Sequence, residues 1–164
     1  MKKVIAFLLS FLMFLSVTSN DFYAREFLSD GDASYQNDTE VIYQDDEIVV
    51  TCTLVVWKEV SDIGLYSLKQ TVRSTKYVSI TTIKGKVLAT YTLTGTFTYD
   101  GSTSTCTNAV CATSVHNTKW HFASQTAAKS GKKAIGSYIL KNSSSNKSKS
   151  GQLTITCSKS GAIS

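Results

Sequence analysis

The stretch KVLATYTLTGTFTYDG, residues 86–101, decides the fold. Val87, Ala89, Tyr91 and Leu93 alternate with Leu88, Thr90, Thr92 and Thr94, and a period of two is that of a β-strand, whose successive side chains point to opposite faces. The second set is mostly threonine, so the sheet has one face in the core and one in water. Asp100-Gly101 follows Thr96-Phe97-Thr98-Tyr99 directly and precedes Thr103–Thr107, which predicts a hairpin through a tight turn.

The same pattern extends in both directions. Upstream, Ile48–Trp57 reads as a strand and Thr39–Tyr43 as a short one; Leu65–Ile83 is one long strand or two broken ones, closed by Gly85. Downstream, Thr113–Ser124, with Val115, Trp120 and Phe122, is expected to be a strand, and Ser130-Gly131-Lys132-Lys133 turns the chain into Ala134–Leu140. Asn142–Gly151 reads as a serine, asparagine and lysine loop, and Leu153–Cys157 as a short last strand. There is no proline, and the only helical candidate, Ser124–Lys129, is too short to matter. These elements predict an all-β fold, an antiparallel β-sandwich of about seven or eight strands, immunoglobulin-like in one form, with a partly open barrel as the alternative. Trp57 lies five residues after Cys52 and does not reproduce the immunoglobulin Cys–Trp–Cys spacing, so the expectation rests on strand count.

The chain starts with Lys2-Lys3 and an apolar run from Val4 to Val17. That run suits a secretory leader and falls short of the roughly 20 residues needed to span a bilayer. Small residues at Val17 and Ser19 place cleavage before Asn20. The domain plan is therefore a signal peptide over 1–19, a polar extension over 20–38 and a β-sandwich over 39–164, with the product extracellular or associated with the cell surface. Loss of Lys2 and Lys3 lowers the formal charge from +5 to about +3, and most acids lie between Asp21 and Asp62 while many lysines follow Lys129. Stable membrane insertion after cleavage is not expected.

Cys52, Cys106, Cys111 and Cys157 survive export. An even number in an oxidising compartment suggests two disulfides. The four residues between Cys106 and Cys111 suggest a local bridge, which leaves Cys52 with Cys157. Zinc bound by all four is the competing account, against which stand the atypical C-x4-C spacing and the oxidising compartment.

Signatures of catalysis are sparse: the chain has no G-x-S-x-G, no H-E-x-x-H and no phosphate-binding glycine loop. His116 and His121 are the only imidazoles, and in one strand they would face opposite sides. Asp45-Asp46-Glu47 and Asp30-Gly-Asp32 lack the full calcium loop and read as solvated turns. No catalytic residue, metal or cofactor is assigned. Solvent-facing aromatics are the better handle, because they stack on sugar rings or anchor a protein. The candidates are Tyr66, Tyr77, Tyr99 and Trp120.

The segments Thr94–Cys106 with its GTFTYDG, Val115–Trp120 with VHNTKW, Ala128–Ala134 with AKSGKKA, and Leu153–Gly161 with LTITC resemble a group of small secreted all-β proteins of Gram-positive bacteria. The likeness covers roughly residues 48–164. It implies secretion and an all-β fold, and it brings no catalytic residues with it. The expected function is a secreted, non-catalytic module whose partner is a cell-wall polysaccharide or an extracellular protein. A nucleic-acid partner is not expected, since serine and asparagine dilute the lysines after Lys129 and no aromatics interleave them. A secreted enzyme or toxin-like effector, and a self-assembling structural β protein, are the alternatives.

Overall fold

The structure, a computed structural model, describes residues 36–59 and 69–164. The expected signal peptide, most of the polar extension and Tyr66 lie outside the described residues. Eight strands follow in order: β1 Gln36–Gln44, β2 Ile48–Glu59, β3 Gln70–Thr82, β4 Val87–Tyr99, β5 Ser104–Val115, β6 Trp120–Ser130, β7 Lys133–Asn142 and β8 Ser148–Thr156. Strands β1 to β5 form one antiparallel sheet and β6 to β8 a second, each in simple sequence order. The two pack as a β-sandwich, as expected. Its connections are those of two meanders rather than the Greek key of an immunoglobulin domain. Among the described residues no helix is long and apolar enough to cross a membrane.

Turn chemistry makes the meanders. At the Asp100-Gly101 hairpin the Asp100 carboxylate accepts the N–H groups of Ser102 and Thr103 at 2.9 and 2.7 Å, and Gly101 sits at φ +84°, a conformation glycine reaches without steric cost. The expected strand through Thr113–Ser124 is corrected: the chain reverses at residues 116–119, between β5 and β6. Asn117 drives the reversal, its side chain accepting the Lys119 N–H at 2.9 Å and its carbonyl the Trp120 N–H at 2.9 Å. Ser124–Lys129 is strand, and the expected loop over Asn142–Gly151 is shorter, because β8 begins at Ser148.

The inward side chains are Val72, Val78 and Ile80 of β3, Ala89, Tyr91, Leu93 and Phe97 of β4, Tyr138 and Leu140 of β7, and Leu153 and Ile155 of β8. Each fully buried aliphatic chain contributes about 1.5–3 kcal/mol. Tyr91 links the layers. Its hydroxyl donates to the Thr126 carbonyl of β6 at 2.6 Å, and its ring lies 5.1 Å from that of Tyr138. Burial pushes this hydroxyl well above the ordinary tyrosine value, so it stays a donor. Gly136 makes the room: a Cβ there would overlap the Tyr91 hydroxyl and stand 2.9 Å from a Leu93 methyl. Lys76, inward on β3 by alternation, donates to the Thr154 carbonyl of β8 at 2.8 Å.

A second tie joins the β1–β2 turn to the start of β8. The Lys149 ammonium lies 3.9 Å over the Tyr43 ring and donates to Asp45 at 2.9 Å and to the Tyr43 hydroxyl at 2.7 Å. Lys147 pairs with Glu47. The Asp45 carboxyl is held well below the usual range, first by Lys149 and then by the N–H groups of Ile48 and Glu47. A depressed carboxyl stabilises above its unfolded value, near 4, and the gain fades as pH falls through the folded value. Wild type is therefore expected to exceed Asp45→Asn in urea midpoint at pH 7, with the gap closing in strong acid; a gap independent of pH would contradict this tie.

The disulfide expectation is corrected. All four cysteines are free thiols, and the ladders show why the expected pairs do not form. Cys106 and Cys111 lie on one strand opposite Phe97 and Leu93, which puts them about 13 Å apart, beyond the roughly 7 Å Cα limit for a bridge. Cys157 sits beside Ser104, whose hydroxyl donates to its carbonyl at 2.6 Å. That row runs through Tyr99 and Gln70, far along β3 from Val78, the partner of Cys52. The separation exceeds about 15 Å.

Candidate functional site

Among the described residues the thiols and the imidazoles are not brought together into one cluster. Desolvation raises the thiols of Cys52, Cys106 and Cys157 above their ordinary value, and a thiol held protonated in an apolar core is a poor nucleophile and a poor metal ligand. His116 meets the Ser114 hydroxyl at 3.3 Å and His121 that of Ser143 at 3.1 Å; both are exposed. Among the described residues no three His, Cys, Asp or Glu side chains are placed to hold a metal ion. The Asp45 carboxylate is occupied by its own turn and by Lys149, and Asp30 and Asp32 lie outside the described residues.

The outer face of the five-stranded sheet has a different character. Alternation and register place Thr51, Thr53, Val55 and Trp57 of β2 on it, with Thr71, Arg73, Thr75, Tyr77, Ser79 and Thr81 of β3. From β4 come Thr90, Thr92, Thr94, Thr96 and Thr98, and from β5 Asn108, Val110, Ala112 and Ser114. One row across the sheet reads Thr53, Tyr77, Thr92, Ala112; the next reads Val55, Thr75, Thr94, Val110. Adjacent strands stand about 4.8 Å apart, so the threonines form a lattice of hydroxyls and methyls. The Thr75 and Thr94 hydroxyls bond each other at 3.0 Å, and Thr107 bonds the Thr96 carbonyl at 3.1 Å. Thr53 and Val55 are buried, which leaves the open part of the face over β3, β4 and β5.

Tyr77 stands at its centre, 37% exposed, with threonines beside it on both neighbouring strands. Val110, 48% exposed, adds an apolar contact in the next row. Of the aromatics expected to face solvent, Tyr77 alone among the described residues does so openly. Trp120, 7% exposed, belongs to the core, and Tyr99 packs partly buried against it beside Gly161. Arg73 escaped the sequence reading. The polar run Thr71, Arg73, Thr75, Tyr77, Ser79, Thr81 against Val72, Val78 and Ile80 was the signal that places it on this face.

Compared with known protein families, with curated proteins and with solved structures, the chain matches none.

Proposed function

We propose that the protein is a secreted, non-catalytic β-sandwich module that binds a polysaccharide of the cell surface on the threonine face of its larger sheet. The observation that carries this reading is Tyr77, an exposed ring set in an array of hydroxyls. A ring stacks on the apolar face of a sugar, and flanking hydroxyls both donate to and accept from its OH groups. A rigid sheet holds those groups in place without ordering cost on binding. The leader-like N-terminus and the resemblance to secreted proteins of Gram-positive bacteria support the location.

Saturable binding to isolated Gram-positive cell walls is expected, and Tyr77→Ala is expected to weaken it about tenfold or more, as for a central aromatic anchor, with thermal stability little changed. Equal binding by the variant would refute the placement. A second reading, an extracellular protein partner, is favoured by one feature: Val41, Ile42 and Tyr43 are exposed on β1, the strand at the edge of the larger sheet. Strand addition there uses backbone hydrogen bonds and would be insensitive to Tyr77.

A further inference from the structure

The charge on the threonine face narrows the ligand class. Within β2 to β5 the described side chains of the face carry one charge, Arg73, in the row Trp57, Arg73, Thr96, Asn108. Arg73 is exposed and makes no hydrogen bond or ion pair with the described residues. The chain takes most of its positive charge from lysine: only Arg25 and Arg73 are arginines among its 17 basic residues. Lysine suffices where a solvated charge is wanted. Arginine differs in its planar fork, which meets a carboxylate or phosphate with two parallel hydrogen bonds.

Tyr77 lies four residues further along the same strand, so the two Cα atoms are about 13 Å apart on one face. Between them run the hydroxyls of Thr75 and Thr94. Nothing charged among the described side chains of the face competes for an anion there. An acidic glycan brings to the guanidinium, a few sugar units from the stacked ring, a partner that matches its planar fork and charge as the hydroxyls of a neutral one do not.

We infer that the ligand of this face is an anionic polysaccharide, with Arg73 pairing with its carboxylate or phosphate groups while Tyr77 stacks on a sugar ring. The inference rests on the polysaccharide reading above and adds the charge class. Its test uses the full exported chain and protein-free Gram-positive cell walls in three forms: untreated, amidated with carbodiimide to neutralise carboxylates, and treated with hydrofluoric acid to remove phosphodiesters. Untreated wall should bind wild type, more weakly with added salt, and one of the two treatments should abolish that gain and so tell carboxylate from phosphate. Arg73→Gln should weaken binding to untreated wall about tenfold and show no further loss on the neutralised wall. Arg73→Lys, which keeps charge and loses the fork, should fall between. Equal binding of wild type to all three walls, with Arg73→Gln indistinguishable from wild type and Tyr77→Ala defective, would overturn the anionic class and leave the polysaccharide reading standing. No binding of wild type to any wall would remove both. Because Arg73 is exposed, Arg73→Gln is expected to melt with wild type, which separates lost binding from lost fold.

Discussion

Tyr91→Ala is expected to destabilise the protein by about 3–5 kcal/mol, as a large aromatic deleted from a packed core does. Tyr91 is fully buried in β4, and its ring packs on Tyr138 across the sandwich. The alanine variant leaves a cavity bounded by both sheets and removes the donor to Thr126. Tyr91→Phe separates the two parts: it keeps the ring and loses only the hydrogen bond, so about 0.5–1.5 kcal/mol is expected. Urea titration with an unchanged denaturant slope checks both. If the alanine variant cost no more than the phenylalanine one, the sheets would not be packed through this ring.

The reciprocal change is made from the other layer. Gly136→Val sets a Cβ onto the Tyr91 hydroxyl, 2.9 Å from a Leu93 methyl and 3.2 Å from the Thr126 carbonyl, and adds two methyls besides. Overpacking a well-filled core costs about 1–3 kcal/mol and occasionally more, and here three groups must move at once, so the upper end is expected. Gly136→Ala is milder and shows the coupling. Its nearest obstacle is the Tyr91 hydroxyl, so Tyr91→Phe combined with Gly136→Ala should cost less than the two single changes summed. Strict additivity in the urea midpoints would mean that Gly136 and Tyr91 do not meet.

Much of this architecture is legible in the residues. The alternation over 86–99 gives both the buried stripe of β4 and the threonine face, because a strand with one apolar side has only one stable register against a core. The turns at Gly101 and Gly131 announce themselves through glycine, each at positive φ. The reversal after Val115 does not. It carries neither glycine nor proline, and depends on the side chain of Asn117 accepting from its own turn, a local bond that competes with an equally good continuation of the strand. The cysteines mislead for a related reason. Their even count says nothing of spacing in three dimensions, and only the ladder shows that Cys106 and Cys111 share a strand. The site is legible in part: Tyr77 stands out by residue type, while Arg73 gains meaning only once the register of β3 with β2 and β4 puts it on the same face.

The most direct test of the account is an NMR titration of the isotopically labelled protein with soluble Gram-positive cell-wall polysaccharide, following backbone amides and side-chain methyls. Shifts concentrated on Arg73, Thr75 and Tyr77 of β3 and on Thr92, Thr94 and Thr96 of β4, with the methyls of Leu93 and Leu153 unmoved in the core, are the result expected for a ligand lying on the threonine face. Shifts confined to β1 or to the turns, or none on saturation, would contradict it.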